Sequence, residues 1–223
     1  MRRPPRAAAC NMGFERGARD RPRMGRRSSH SPGELRHLIL QSARGLVQKS
    51  GLNGLSARAI AKNIGYSPGT LYSVFSNRDE LLLRIQGALL EELIAELDGI
   101  PAGGRGAARL HDLSDAYISF ALRNRELWNL LQQHTPRPGK LSCELIDQNF
   151  QRIIALVADA IKSHASKATD ADIQQMAHAM WASIHGISAM AVADKIGAMP
   201  IETARPCVSV IVDCFQSRFG QLS

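Results

Sequence analysis

The chain has 223 residues, a formal net charge of +8 and 44% hydrophobic residues, which is typical of a globular protein with a buried core. No stretch approaches the roughly 18 consecutive apolar residues of a membrane-spanning helix, and no apolar segment of a secretory signal follows the arginine-rich start. The four cysteines are scattered without a CxxC pair, which argues against a disulfide framework or a zinc site. We therefore expect a cytoplasmic protein that has no membrane segment and needs no metal or cofactor.

Positive charge is concentrated at the N-terminal end. Residues 1–30 carry nine arginines and two acids, a net +7, residues 31–78 carry +5, and the remainder carries −4. The first 30 residues are rich in Arg, Pro and Gly and lack apolar periodicity, so we predict a disordered basic arm. Part of this arm is untranslated if Met12 or Met24 is the start. The charge asymmetry indicates a polyanionic partner.

Apolar residues recur at three- and four-residue spacing over nearly all of the remaining chain, which predicts an all-α protein. Ser31, Pro32 and Glu34 give the start signal of the first helix, and Gly51 ends it. Further helices are predicted near 56–64, 67–75, 76–97, 107–123, 125–134, 140–164, 170–195 and 203–219. A break over 98–106 divides the chain into an N-terminal domain (31–97) and a C-terminal helical domain (107–223).

Residues 56–75 have a helix-turn-helix pattern, with two short helices separated by a turn at Gly65. The second helix lacks the Arg and Asn residues that make bidentate base contacts. It can instead approach the DNA backbone closely, with hydroxyl groups and N-terminal amides directed at phosphates. Arg58, Lys62 and Arg78 would add phosphate pairing, so we expect base readout to be modest and partly indirect.

The residues Ala59-Ile60-Ala61, Gly65-Tyr66-Ser67, Gly69-Thr70-Leu71-Tyr72, Phe75 and Asp79-Glu80-Leu81-Leu82 resemble the N-terminal domain of TetR/AcrR-type transcriptional regulators. The resemblance covers roughly residues 33–92. It implies an all-helical homodimer that binds an inverted-repeat operator in double-stranded DNA and whose C-terminal domain binds an effector. The DNA contacts that it implies are Ser56, Arg58, Ser67, Pro68, Gly69, Thr70, Tyr72 and Arg78. Pro68 replaces the basic residue usual in the recognition helix, and Arg78 stands at the place of a phosphate-binding lysine.

The predicted helix over 170–195 carries two stripes. Large apolar residues from Ile173 to Ile187 suit the chain's own core, and a second stripe of small residues permits close approach of another helix. Together with the last helix, the second stripe predicts a four-helix interface between two copies of the chain. The predicted interface residues are Ala179, Ala182, Ser183, Gly186, Ala189, Ala193, Val210 and Cys214.

An effector pocket is expected among the helices of residues 107–187. The candidate lining residues are Tyr117, Phe120, Trp128, Phe150, Met176, Met180 and Trp181, each of which is otherwise an ordinary core residue. Such a lining favours a small apolar or aromatic molecule. Trp181, His185 and Gly186 also resemble the tryptophan/histidine-glycine signature of one subclass of TetR C-terminal domains. His185 is either a hydrogen-bonded residue near the interface or a contact to the effector.

The sequence contains no GxSxG, phosphate-loop or HExxH motif, so we predict no enzymatic activity. The main hypothesis is a dimeric, sequence-specific transcriptional regulator, a repressor released from DNA by a small apolar effector. One alternative is a helical nucleoid or division factor that binds DNA without regulating neighbouring genes. The other is a helical effector-binding protein without regulatory DNA specificity.

Overall fold

The computed structural model describes residues 30–101, 106–134, 142–163, 165, 167–193 and 199–220. Within these residues the chain forms nine α-helices and no strand, which confirms the predicted all-α fold. The helices are α1 (Pro32–Ser50), α2 (Ala57–Ile64), α3 (Pro68–Val74), α4 (Arg78–Asp98), α5 (Gly106–Arg123), α6 (Arg125–Gln133), α7 (Ser142–Lys162), α8 (Asp170–Val192) and α9 (Ile201–Gly220). A short 3₁₀ turn (Leu52–Gly54) follows α1. Apart from His30, the predicted basic arm lies outside the described residues.

Local capping interactions set the ends of the first helices. The Glu34 backbone N–H donates to Ser31 Oγ at 3.3 Å, and the Ser31 backbone N–H donates to the Glu34 carboxylate at 2.7 Å, which completes a capping box. At the start of α2, Ser56 Oγ accepts from the Ala59 N–H at 3.1 Å. Gly65 ends α2 at φ 73° and ψ 29°, in the left-handed region that glycine favours. These boundaries agree with those predicted from the sequence.

Helix α4 is the central helix of the fold. It packs against α1 of the N-terminal helices and against α5, α6 and α7 of the C-terminal helices. Its buried residues are Leu81, Leu82, Leu83, Ile85, Gln86, Gly87, Leu89, Leu90, Leu93, Ile94 and Leu97. A helix that is apolar around most of its circumference must be surrounded by protein. The hydrophobic core is therefore continuous from the N-terminal helices into the C-terminal helices.

Helix α8 ends earlier than predicted, at Val192 rather than near residue 195. Ala193 is extended, at φ −64° and ψ 130°, and the Met190 carbonyl accepts a hydrogen bond from the Met199 N–H at 3.0 Å. If α8 continued, this carbonyl would accept a hydrogen bond from a backbone N–H of the next helical turn. The Met199 N–H takes the place of that donor. Ala193 consequently lies just beyond the helix and not on its stripe of small residues. None of the described helices is both long and apolar enough to cross a membrane.

Candidate nucleic-acid interface and aromatic cluster

Helix α3, the second helix of the helix-turn-helix, has one buried and one exposed side. Leu71 and the C-cap residue Phe75 are 5% and 3% exposed and anchor the helix in the core. Residues 67–69 are exposed at its beginning, and Tyr72 is 64% exposed. The side of α3 that the sequence predicts to meet DNA is therefore accessible to a large partner.

The hydroxyl groups on this helix interact with each other as well as with solvent. Ser67 Oγ lies 3.1 Å from Thr70 Oγ1, and Ser73 Oγ donates to the Thr70 carbonyl at 2.8 Å. Thr70 is half-buried. Because one hydroxyl of the Ser67–Thr70 pair donates to the other, the pair retains one proton that can be donated to a phosphate.

Three of the predicted DNA contacts lie together beside α3. Ser56, Tyr72 and Arg78 line a mainly apolar cavity of about 60 Å³ between α2, α3 and the start of α4. Arg78 is exposed, and its Nη2 donates to the Leu52 carbonyl at 3.4 Å. Arg58 is also exposed on α2 but does not line this cavity. The arrangement places two hydroxyl groups and a guanidinium around an apolar depression, a combination suited to the phosphates and sugars of a DNA backbone.

Arg36 on α1 holds the end of α3, a role that the sequence analysis missed. Its Nη2 donates to the carbonyl of Val74, the last residue of α3, at 3.0 Å. The guanidinium lies 4.7 Å from the centroid of the Phe75 ring and 3.5 Å from Glu80 Oε1. The Ser76 backbone and hydroxyl donate to the other Glu80 carboxylate oxygen at 2.8 and 2.9 Å, and these bonds are the main cause that lowers the pKa of Glu80. No local pattern reveals Arg36, because its partners lie some 40 residues further along the chain.

An aromatic cluster surrounds His185 on α8. We define it by six residues: Tyr117, Phe120, Trp128, Phe150, Trp181 and His185. The His185 ring centroid lies 5.3 Å from that of Trp181, in a stacked arrangement, and 5.8 Å from that of Trp128. The Tyr117 and Phe150 rings meet it edge-on at 6.3 and 6.2 Å. Phe120 joins the cluster through Trp128, at 6.3 Å. These geometries are those in which aromatic rings attract one another.

Both nitrogens of His185 have partners. Nδ1 lies 2.8 Å from the Tyr117 hydroxyl, and Nε2 lies 2.8 Å from Nε2 of Gln132. Burial lowers the pKa of His185, so its ring is neutral near pH 7. Burial likewise raises the pKa of Tyr117 far above its usual value, although a hydrogen bond from the neighbouring Trp181 indole to its hydroxyl oxygen lowers it somewhat. The centre of the cluster is therefore polar but uncharged.

A cavity of about 20 Å³ lies next to the cluster between α4, α5, α7 and α8. It is lined by Leu97, Leu110, Leu113, Ser114, Tyr117, Ile153, Leu156, Val157, Met180, Trp181 and Ile184. Tyr117, Met180 and Trp181 were predicted to line an effector pocket and do line this cavity. Of the other predicted residues, Phe120, Trp128 and Phe150 belong to the aromatic cluster, and Met176 packs half-buried against the core. A cavity of this size holds about one water molecule, so a larger ligand must widen it.

Two polar side-chain atoms in the C-terminal helices, Nε1 of Trp128 and Oγ of Ser188, are buried without a hydrogen-bond partner. Trp128 and Ser188 are fully buried. A buried donor that makes no hydrogen bond costs about 1–3 kcal/mol, and native proteins contain few of them. Among the described residues, no three His, Cys, Asp or Glu side chains are grouped as metal ligands would be.

Helix α6 connects the aromatic cluster to α4, because it carries both Trp128 and Gln132. The Nε2 group of the buried Gln86 on α4 donates to the Leu130 carbonyl of α6 at 3.1 Å. At the end of α6, Nε2 of His134 lies 3.3 Å from a carboxylate oxygen of Asp79 in the first turn of α4. A glutamine within the leucine-rich run of residues 81–97 was the sequence signal that could have indicated this connection.

An outer face of α8 and α9 exposes small and apolar side chains. Ala179, Ala182 and Gly186 are exposed on α8, as are Val210 and Cys214 on α9. Of the other predicted interface residues, Ser183, Ala189 and Ala193 are half-buried, and the Ser183 hydroxyl is satisfied within its own helix. Met190 and Val210 are 47% and 58% exposed. The predicted interface residues thus lie at the surface of two helices that pack against each other.

Two protein-family models match the chain. A model described as "Bacterial regulatory proteins, tetR family" matches residues 39–85, which include the helix-turn-helix. A model described as "Tetracyclin repressor-like, C-terminal domain" matches residues 110–215, which include the aromatic cluster and most of the face formed by α8 and α9. No curated protein matches the chain in sequence.

Solved structures of similar fold align with this chain over nearly their whole length. A protein of unknown function from Rhodococcus sp. RHA1 is 25% identical, has a TM-score of 0.67 and aligns over 86% of this chain and 98% of its own. A transcriptional regulator from Rhodococcus sp. RHA1 is 19% identical, with a TM-score of 0.60 and coverage of 85% and 97%. A TetR transcriptional regulator from Rhodococcus sp. RHA1 is 14% identical, with a TM-score of 0.60 and coverage of 83% and 97%.

Proposed function

Because the chain belongs to the TetR family of bacterial transcriptional regulators, we propose that it is a sequence-specific repressor that binds DNA as a homodimer and is released by a small apolar effector. The observation that carries the proposal is the exposed side of α3, where Tyr72 and residues 67–69 stand free of the core. Arg58 on α2 and Arg78 at the beginning of α4 are exposed and supply positive charge. The same α3 is anchored through Leu71 and Phe75 to the core that continues into the C-terminal helices.

The chemistry of α3 determines how such a protein reads DNA. Its exposed groups are hydroxyls, a glycine and a proline, so they contact phosphates, sugars and thymine methyl groups and lack the fork geometry that identifies guanine. Specificity then depends in part on how the operator sequence bends and twists. We expect mismatches at non-contacted positions of the operator to weaken binding along with those at contacted positions.

Dimerisation through the exposed face of α8 and α9 would place two copies of α3 on one side of the DNA. Small residues such as Ala182 and Gly186 let a second copy approach closely, and Val210 supplies apolar area to bury. A two-fold symmetric pair requires an inverted-repeat operator with half-sites about one helical turn apart, or a multiple of that distance. The dimer and its operator would then share one two-fold symmetry axis.

Release by an effector requires that the aromatic cluster and α3 influence each other. Trp181 and Tyr117 line the 20 Å³ cavity and contact His185, so a ligand that displaces either of them acts on His185. His185 is bonded to Gln132 of α6, and α6 is bonded to the beginning of α4 directly after α3. A hundredfold loss of operator affinity needs only about 2.7 kcal/mol of difference between the two conformations.

DNA binding is tested by fluorescence anisotropy with the DNA upstream of the gene and with a scrambled sequence of equal length. We expect at least about a thousandfold preference for the upstream DNA at physiological salt. The double variant Thr70→Ala, Tyr72→Ala should lose this binding while it remains a folded dimer by circular dichroism and light scattering. Equal affinity for both sequences would instead indicate a nucleoid-type factor. Full affinity of the double variant would mean that α3 is not the recognition helix.

Dimerisation is tested at Gly186, where an added Cβ would meet no other atom within 4 Å. Glu at this position therefore leaves the isolated protomer undisturbed but places a charge in the proposed interface. We expect Gly186→Glu to be monomeric in light scattering. Gly45→Glu is the matched control, because Gly45 is also an exposed helical glycine with no atom within 4 Å of an added Cβ, and it lies on α1. A dimeric Gly186→Glu would place the interface elsewhere.

A further inference from the structure

We propose that the cavity of about 60 Å³ between α2, α3 and the start of α4 binds a short branched aliphatic carboxylate, with the alkyl group inside the cavity and the carboxylate at its exposed edge. This site is separate from the effector pocket expected in the C-terminal helices. The inference goes beyond the proposed function and rests on it in one respect, which is that the same surface contacts DNA. It follows from the kinds of side chain that line the cavity.

The interior of the cavity is apolar and small. Each of its buried lining residues is at most 6% exposed, and they are Leu55, Ile60, Leu71, Phe75 and Leu81. A water molecule needs about 10–15 Å³ of such volume and several polar partners, which these side chains do not offer. The cavity of about 60 Å³ has room for roughly four to six groups of that size, whereas benzene occupies an engineered cavity of about 150 Å³. The apolar part of the ligand is therefore a branched chain of about four carbon atoms and not a ring.

The edge of the cavity carries hydrogen-bond donors. The polar lining residues are all exposed, and they are Ser56, Tyr72, Asn77 and Arg78. Ser56 Oγ accepts from the Ala59 N–H, so its own proton can still be donated. Asn77 Oδ1 accepts from the Glu80 N–H at 2.8 Å, which leaves the amide group of Asn77 as a donor. All four side chains can therefore donate a hydrogen bond to a ligand at this edge.

Arg78 gives the edge a positive charge that no other lining residue neutralises. Within the described part of the chain, its guanidinium has one hydrogen-bond partner, the neutral Leu52 carbonyl at 3.4 Å. None of the ten lining residues is acidic. A guanidinium can bind a carboxylate through two parallel hydrogen bonds, and such charged bonds are roughly twice as strong as neutral ones. The same guanidinium repels an ammonium group, so the edge favours an anion.

The ligand and DNA would exclude each other at this site. Ser56, Tyr72 and Arg78 line the cavity and are also the proposed contacts to the DNA backbone. The carboxylate would take the place of a phosphate, because both anions need the same donors. A bound carboxylate would then lower operator affinity without any movement of the C-terminal helices.

Four small molecules test this proposal on the wild-type protein at constant ionic strength. 3-Methylbutanoate has the carboxylate and the branched chain, acetate lacks the chain, 3-methylbutanamide lacks the charge, and 3-methylbutylamine has the opposite charge. Titrations followed by NMR of ¹³C-labelled isoleucine methyl groups measure affinity and location together, since Ile60 lines this cavity whereas Ile153 and Ile184 line the 20 Å³ cavity. We expect 3-methylbutanoate to shift the signal of Ile60 and not those of Ile153 and Ile184. It should bind about tenfold more tightly than acetate and about fivefold more tightly than the amide, and the amine should bind most weakly.

Variants assign each preference to its cause. Arg78→Gln removes the charge at the edge, so the affinities for 3-methylbutanoate and its amide should become equal within about twofold. Arg58→Gln is the matched control, because Arg58 is also exposed but does not line the cavity, and it should retain the preference. Ala57 lines the cavity, and Ala57→Leu fills part of it, so 3-methylbutanoate should then bind no more tightly than acetate. If Ala57→Leu does not fold, the four ligands on the wild-type protein still decide the question.

Other outcomes of the titrations would contradict the proposal. Equal binding of acetate and 3-methylbutanoate by the wild type, tightest binding of the amide or the amine, or no shift of the Ile60 signal with any of the four would overturn it. An undiminished preference for the carboxylate in Arg78→Gln would overturn the role of this residue. These titrations need no DNA, so their result does not depend on the proposed function.

Fluorescence anisotropy with operator DNA tests the competition separately. 3-Methylbutanoate at ten times its Kd should weaken operator binding about tenfold for each copy of α3 that contacts DNA. If it shifts the Ile60 signal and leaves operator affinity unchanged, the ligand site is upheld and the proposed DNA contacts of Ser56, Tyr72 and Arg78 are contradicted. A failure of the ligand site and a failure of the proposed DNA contacts are therefore distinguishable.

Discussion

Replacement of Arg36 by Met tests whether α1 holds the recognition helix in place. Met retains the apolar stem but loses the bond to the Val74 carbonyl (3.0 Å), the stacking on Phe75 (4.7 Å) and the pair with Glu80 (3.5 Å). The Arg36 side chain is 39% exposed. We therefore take about 1 kcal/mol for the charged hydrogen bond, about 0.5 kcal/mol for the stacking and less for the ion pair. Arg36→Met should destabilise the docked state of α3 by about 1.5–2 kcal/mol.

Hydrogen exchange measured by mass spectrometry detects this change locally. A reporter is the Phe75 N–H, which donates to the Leu71 carbonyl at 2.8 Å and is protected only while α3 is formed and docked. A seven-residue helix has no stability of its own, so it opens when its anchoring interactions are removed. We expect exchange within α3 to accelerate by about 10- to 30-fold in Arg36→Met. Operator affinity should fall by no more than the same factor.

Arg44→Met is the matched control. Arg44 lies two turns further along α1 and binds Glu92 of α4 at 2.6 Å, so the variant has the same change in net charge and also loses an ion pair. It should leave the exchange of α3 unchanged. Equal acceleration of α3 exchange in both variants, or none in Arg36→Met, would refute a clamp at the end of α3.

Three other outcomes are expected. Gly65→Ala should lower the free energy of unfolding by about 1 kcal/mol in denaturant titration, because Gly65 has φ 73°. Gly45→Ala should raise it by about 0.5 kcal/mol, since no atom lies close to an added Cβ there. A change of the unfolding free energy in the same direction in both variants would contradict this expectation. Because burial lowers the pKa of His185 below 6.5, the unfolded chain binds the proton more readily, and stability should fall as the pH drops below about 6.5. In urea titrations, His185→Gln should show a smaller loss than the wild type, and an identical loss would exclude this residue as the cause. Removal of residues 1–23 should flatten the salt dependence of DNA binding, by about 0.9 in log–log slope for each phosphate that this segment neutralises, with operator choice unaltered; an unchanged slope would mean that the segment does not touch DNA.

Sequence reasoning was most successful where an interaction spans three or four residues. The capping box at Ser31 and the left-handed Gly65 are encoded by neighbours, so the ends of the first two helices could be predicted. The end of α8 could not, because it depends on a hydrogen bond from Met199 after a change in chain direction. No stop signal stands next to Val192 to indicate it.

The candidate sites show the same division. The exposed side of α3 follows from the helical spacing of Leu71 and Phe75, and its residues could be named from the sequence. The bond between Tyr117 and His185 joins residues 68 positions apart, and that between Gln86 and the Leu130 carbonyl joins residues 44 apart. Their formation depends on the angles at which α4, α5, α6 and α8 cross. Such angles arise from the packing of the whole core and leave no local pattern.

The burial of α4 on nearly all sides has a consequence for how the protein unfolds. A fragment that ends at Asp98 would retain the DNA-reading helices but expose the leucines of α4 that pack against α7. Those leucines would then face water, and the fragment would lose stability and tend to aggregate. Heat or denaturant should therefore melt both halves of the chain in one cooperative transition. A chimeric protein that takes its DNA-reading half from a relative would also have to take the α7 surface against which α4 packs.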